Sequence, residues 1–267
     1  MYHFFVEKTD IFDNIVALRD DNYNHAVNVL RLRAGEQVMV SDEEGTDYYC
    51  TVVGTGASGG SVREETSADK CLKLSVDRVA ENNHELSARI TLYMSLPKSD
   101  KMELIIQKAT ELGVTDIVPV ESKNCIMKLE PKKETAKIAR WQAIAEAAAK
   151  QSKRSVIPAV HAPVRFTEAV KKAEEEGNVC LIPYEDSRGM HSMCEAIISF
   201  LPGSDIAVFI GPEGGYDELE IKYAVDHGIR PVSLGRRILR CETAAIAMLS
   251  LIMIRLEIAA EMNDGAE

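Results

Sequence analysis

The sequence is short of the features that mark the most easily recognised protein classes. Its six cysteines, at 50, 71, 125, 180, 194 and 241, form no C-x-x-C pair and have no histidine at zinc spacing. Neither a disulfide framework nor a metal site is expected, and the thiols read as reduced core residues of a cytoplasmic protein. No basic segment followed by an apolar core appears in Met1–Phe12, which argues against a secretory signal. The apolar run Ala244–Ile254 is too short to span a bilayer and is bounded by Glu242, Arg255 and Glu257. It reads as a buried or interface helix, and no membrane partner is expected. The six histidines make no H-E-x-x-H pattern and no Ser/His/Asp arrangement. Cations are scarce too: 31 Lys/Arg against 42 Asp/Glu leave a net charge of −11. That argues against a generic nucleic-acid binder, because phosphate contacts need positive charge, but leaves RNA binding open.

The distribution of charge says more than its total. Residues 98–154 carry 12 Lys/Arg against 8 Asp/Glu, whereas residues 1–72 carry 6 against 13. An RNA contact would have to be local and partly driven by shape. At 267 residues, with 46% hydrophobic and 27% charged residues, the chain has room for one large domain or two unequal ones.

Along the chain, residues 1–72 hold short β-like runs. Gln37–Val40 and Asp47–Val53 flank a turn-rich segment and read as a hairpin, preceded by a short helix near Asn22–Leu30. This suits a small β-barrel module. Arg31 and Arg33 alternate with Leu30 and Leu32, so both can project from one strand face toward phosphate or simply toward water. Gly54–Gly59 is a literal G-x-G-x-x-G, but no helix follows it, so a nicotinamide site is rejected in favour of a hairpin loop.

From about residue 72 strands and helices alternate. Ile90–Leu96 reads as a strand. A helix follows, with Asp100 as cap, Glu103 at its third position and Gly113 at its end. Ile117–Val120, Lys132–Gln151, Val179–Pro183, Gly189–Phe200, Ile206–Gly211, a helix capped by Asp217, Val232–Leu234 and Glu242–Met262 complete the series. The expected fold is α/β, a parallel sheet with helices on both faces.

Two stretches stand out. Ile206–Glu220, IAVFIGPEGGYDELE, is an apolar strand ending in a glycine turn before a helix. Val232–Thr243, VSLGRRILRCET, repeats the design with a basic loop. Either alone is an ordinary βα turn; paired, they can close on one ligand at the C-terminal edge of a parallel sheet. Gly211, Gly214 and Gly215 are read as clearing space for that ligand, and Pro212 as stiffening the turn.

These stretches, with LPKSDKMELIIQKATELGVTDIVPV (Leu96–Val120), RWQAIAEAAAKQSKRSVIP (Arg140–Pro158) and HAVNVLRLRAGE (His25–Glu36), resemble the RsmE branch of the SPOUT methyltransferases. Cys241 departs from the threonine usual there. The resemblance implies a PUA-like RNA-binding domain over residues 1–72 and a SPOUT methyltransferase domain with a trefoil knot over 73–267. It also implies a homodimer with S-adenosylmethionine as cofactor. The activity implied is methylation of ring nitrogen 3 of a uridine in small-subunit (16S) ribosomal RNA, free or within a 30S particle. The alternative on the same fold is a catalytically inactive RNA-binding or ribosome-assembly factor. Cofactor loops map after Leu181, at Ile210, Gly211, Pro212 and Gly214, and at Leu234, Gly235, Ile238 and Leu239. Arg240, Glu213 and Lys108 are the catalytic candidates, a cation and a carboxylate being what deprotonating a ring nitrogen needs. Each can equally serve its own loop or helix. Gln151 and Arg154, matching the family's Q-x-x-R, join Arg31 and Arg33 as RNA-binding candidates.

Overall fold

The computed structural model describes residues 1–42, 44–55, 70–81, 84–177, 179–184 and 190–264. The chain divides into two compact units, residues 1–85 with 150–156, and residues 86–149 with 157–267. The boundary expected at residue 72 moves because the strand that begins at Leu72 pairs backward, into the first unit. Most of the G-x-G-x-x-G stretch lies outside the described residues.

The first unit holds β1 (Tyr2–Phe5), β2 (Ile11–Phe12), β3 (Ile15–Leu18), α1 (Asp20–Asn24, continued by a π-helical turn to Val29), β4 (Gln37–Ser41), β5 (Thr46–Thr55) and β6 (Leu72–Glu81). The strands form one sheet in the order β1-β4-β5-β6-β3-β2, parallel only between β1 and β4. The expected hairpin is present as β4 and β5, with Val38 opposite Cys50 and Val40 opposite Tyr48. Alternate residues of five strands, among them Phe4, Leu18, Val40, Val52 and Leu74, enter a single core. Among the described residues this one sheet supplies the strands of that core, with the inward and outward alternation that a small barrel uses. Residues 30–36 are not a strand, contrary to expectation. Arg31 sits at φ +54°, and Leu30 and Leu32 pack on the core while Arg31 and Arg33 remain exposed.

The second unit runs β7 (Arg89–Ser95), α2 (Lys101–Glu111), β8 (Asp116–Glu121), α3 (Pro131–Ser152), β9 (Ala159–Val160), β10 (Val164–Arg165), α4 (Phe166–Glu175), β11 (Val179–Pro183), α5 (His191–Ser199), β12 (Asp205–Ile210), α6 (Glu218–Asp226), β13 (Arg230–Val232) and α7 (Cys241–Asp264). All its strand pairs are parallel, along β10-β8-β7-β12-β11-β13 with β9 beside β8. Both faces are buried. Ile90, Leu92 and Met94 of β7 and Ile206, Val208 and Ile210 of β12 join residues of α2, α3, α5 and α7 in one core. Tyr93, Ala207 and Phe209 point the other way, into a core shared with α4 and α6. That is the near-continuous apolar strand expected of a covered parallel sheet.

Asp217 caps α6 as expected, accepting from the Leu219 N–H at 3.0 Å while Glu220 accepts from the Asp217 N–H. Asp100 does not cap α2 with its side chain. Its would-be partner Glu103 is drawn instead to Lys137 and Arg140 of α3, at 3.4 and 2.8 Å. α7 is long and apolar enough to cross a bilayer by composition, more than Ala244–Ile254 suggested. Its stripe Ala245, Met248, Leu249, Ile252, Leu256 is buried in the sheet core.

The first unit contains a buried polar array. His3 Nε2 lies 2.8 Å from Ser41 Oγ, which donates to Asp47, and Ser155 Oγ donates to the same carboxylate at 2.8 Å. Burial lowers the His3 pKa from 6.5 to about 4. The unfolded chain therefore takes up a proton near pH 6.5 and the folded chain only near 4. Stability from neutral His3 is complete above pH 6.5 and is lost as pH falls toward 4, by about 3 kcal/mol. Chemical denaturation should show the stability gap between the native chain and His3→Gln narrowing by about that amount between pH 7 and pH 4. A constant gap would contradict the assignment.

Candidate functional site

The C-terminal ends of β11, β12 and β13 are neighbours in the sheet, and the three segments that follow them enclose a cavity of about 550 Å³. Pro183 and Tyr184 line it from the first, Ile210–Tyr216 from the second and much of Ser233–Cys241 from the third, joined by Lys101 of α2 and Ala244 of α7. The apolar side chains of the central strands are committed to the two cores, and the strand ends are where backbone groups are free to meet a ligand.

The expected cofactor residues Ile210, Gly211, Pro212, Gly214, Leu234, Gly235, Ile238 and Leu239 all line this cavity, as do Glu213 and Arg240. Leu181 does not. It is fully buried in the sheet core, still inside the strand, and the lining from β11 comes two and three residues later. Strand β13 ends at Val232 rather than Leu234, which releases Ser233 and Leu234 to the cavity.

The glycines act differently from what their positions suggest. A Cβ on Gly214 would stand 3.3 Å from Asn124 Cβ, and one on Gly211 would meet the Tyr216 ring at 3.2 Å. What comes close to them is therefore protein. Asn124 Nδ2 donates to the carbonyls of both Gly214 and Gly215, at 3.3 and 3.1 Å. The Lys123 N–H donates to Glu220 at 2.8 Å. The turn is thus braced from behind by residues 123–124, a role no motif announced. Tyr216, buried, accepts from Ser95 Oγ at 3.2 Å and packs on Phe166. Gly235, at φ +108°, holds a backbone conformation that other residues rarely adopt.

Glu213 accepts from the Lys98 N–H at 3.1 Å and pairs with Lys101 Nζ at 2.9 Å. Burial alone would raise its pKa, but hydrogen bonds from Lys101, its own backbone and the Lys98 N–H outweigh this and hold it below the usual range. It is a weak proton acceptor as a result. Lys108 lies about two helical turns beyond Lys101 on α2 and pairs with Glu111 at 2.8 Å, away from the cavity. The lysine at the site is Lys101. Cys241 is the first residue of α7 rather than its cap, and burial pushes its thiol up to about 12, so it is neutral there.

In the first unit Arg31, Arg33 and Gln151 are exposed. Arg154 is not: it is 2% exposed and grips Glu85 through Nε at 3.1 Å and Nη2 at 2.5 Å. Its guanidinium is spent on a buried ion pair, so the expected RNA contact from this side chain is corrected to a structural one. Among the described residues no cluster of three His, Cys, Asp or Glu side chains is placed to share a metal ion.

A covered parallel sheet with three loops around a cavity at its C-terminal edge defines an α/β protein of the class that binds a nucleotide-sized ligand there. Residues 84–253 match the family described as RNA methyltransferase domain, and residues 18–64 match RNA methyltransferase PUA domain. The chain is 34% identical over 245 residues to ribosomal RNA small subunit methyltransferase E of Bacillus subtilis, covering 91% of each protein. It resembles the crystal structure of the Neisseria gonorrhoeae enzyme of that name bound to S-adenosylmethionine, with TM-score 0.77, 30% identity, and 95% and 97% of the two chains covered. A putative methyltransferase from Legionella pneumophila, also with that cofactor bound, matches with TM-score 0.77, 28% identity, and 95% and 97% coverage. The chain belongs to the RNA methyltransferase family, in its ribosomal RNA small subunit methyltransferase E branch.

Proposed function

We propose that this chain transfers the methyl group of S-adenosylmethionine to ring nitrogen 3 of a uridine in small-subunit (16S) ribosomal RNA, free or within a 30S particle. The observation that carries this reading is the cavity where the three loops meet. Its volume of about 550 Å³ falls in the range of small-ligand sites. Its rim offers glycine-loop backbone for the edge of an adenine and Leu234, Ile238 and Leu239 for its faces. The threading of a trefoil knot through these loops, and a cytoplasmic location, belong to the same reading.

The cofactor supplies an electrophilic sulfonium methyl when bound, so the protein's task is orientation and charge. The proton on uridine N3 must pass to solvent water or hydroxide before the nitrogen can attack. Arg240, exposed on the rim, is the cation we assign to stabilise the imidate charge that develops. Glu213, committed to Lys101 and the Lys98 N–H, is a holder of the loop rather than the proton acceptor. Arg31, Arg33 and Gln151 are the proposed contacts to RNA, where a few local cations offset the net charge of −11.

The second copy of a homodimer would cover α7. Its buried stripe faces the sheet, yet Ile254, Ile258 and Met262 repeat every four residues on the other side and stay exposed. An apolar row of that kind suits an interface.

Two outcomes follow. Gly214→Val drives a branched side chain into Asn124 and lifts the turn off its brace, so calorimetry should show affinity for S-adenosylhomocysteine falling at least about tenfold in a protein that still unfolds cooperatively. Arg240→Ala should lower turnover about a hundredfold, well beyond its effect on that affinity. Unchanged affinity in the first variant, or unchanged turnover in the second, sinks the corresponding role. For the dimer, sedimentation equilibrium of Ile254→Asp/Ile258→Asp should give a folded monomer where the native chain is dimeric. A monomeric native chain at micromolar concentration would refute it.

A further inference from the structure

Helix α2 opens with a cation, Lys101, where the helix dipole disfavours one. The side chains that hold it there both belong to the frame of the cavity. Lys101 Nζ lies 2.9 Å from Glu213 Oε1 and 3.3 Å from Glu242 Oε2. Glu213 is on the turn that follows β12, and Glu242 is in the first turn of α7, directly after the loop that follows β13. A single ammonium thus joins two of the three segments around the site, the loop after β12 and, through the start of α7, the loop after β13. All three side chains are partly buried, which limits screening of the bridge. It is anchored on one side by the Lys98 N–H at Glu213, and on the other Cys241 Sγ donates to Glu242 Oε2 at 3.2 Å.

We propose that Lys101 is a positioning residue whose ammonium sets the separation of the two loops and, through it, the cofactor affinity of the cavity. This rests on reading the cavity as the S-adenosylmethionine site. Taking the ammonium away leaves two carboxylates facing its place without a cation between them. Like charges so arranged repel, and the loops part. The charge logic also predicts a rescue: neutralising Glu242 should repair much of the damage caused by losing Lys101.

Calorimetric titration of the full chain with S-adenosylhomocysteine tests this in four proteins. Relative to the native chain, Lys101→Met should bind about tenfold more weakly, Lys101→Arg within about threefold, and Lys101→Met/Glu242→Gln should recover at least about threefold over the single variant. Thermal unfolding verifies that each is folded. Lys101→Gln serves the same comparison, alone and with Glu242→Gln, should the methionine variant not fold. Native affinity in Lys101→Met overturns the bridge, and so does a double variant as weak as the single one, since the loss would then come from packing and not from charge. Failure of the native chain itself to bind would instead overturn the cofactor reading, an outcome distinct from both.

Discussion

A parallel sheet buried on both faces can offer a ligand little except its strand ends. In this chain β7, β8, β11 and β12 alternate apolar residues into two separate cores, so the apolar side chains on both faces are taken up by packing. The C-terminal ends of β11, β12 and β13 are adjacent, and their loops must therefore do the binding. The placement of the cavity, the glycine-rich turns and the helix that restarts after each loop all follow from that one constraint.

Loops made largely of glycine backbone bind well only if something else holds them still, since each free rotamer or dihedral ordered on binding weakens the complex. Here the holding is done by side chains packed against the turn. Asn124 grips two carbonyls of the 211–216 turn, Tyr216 fills the space under Gly211, and Glu220 closes the cap of α6 while accepting from the Lys123 N–H. Glu213, whose sequence position beside the glycines suggests chemistry, is absorbed into the same scaffold.

Much of this was legible in the sequence. The alternation of strands and helices and the capping pair Asp217 and Glu220 appear where their patterns place them, and eight of the nine residues named for the cofactor line one cavity. What was not legible has physical causes. Strands β1 to β3 are two to four residues long, too short for alternation to register. Helix α4 carried a readable apolar period at Phe166, Ala169, Val170 and Ala173, but lacks a Ser, Thr, Asp or Asn cap to draw attention to it. Lys108 and Lys101 sit on one helix and differ only in what the loops bring to them; no local signal separates a lysine paired with Glu111 from one paired with Glu213. Arg154 shows the same limit. The Q-x-x-R spacing says nothing of Glu85, almost 70 residues earlier in the chain, which takes its guanidinium into the interior.

The central claim is a chemical one: this cavity delivers a methyl group to the ring nitrogen of a uridine in RNA. The most direct measurement is nucleoside mass spectrometry of unmodified small-subunit ribosomal RNA, free and as 30S particles. Each is incubated with the purified protein and S-adenosylmethionine carrying a deuterated methyl group. The account predicts a single labelled nucleoside, uridine methylated at nitrogen 3, that is formed in neither incubation when Gly214→Val replaces the native chain. Label on a ribose oxygen or on another base, or no label with either substrate from a protein that binds S-adenosylhomocysteine, would contradict it.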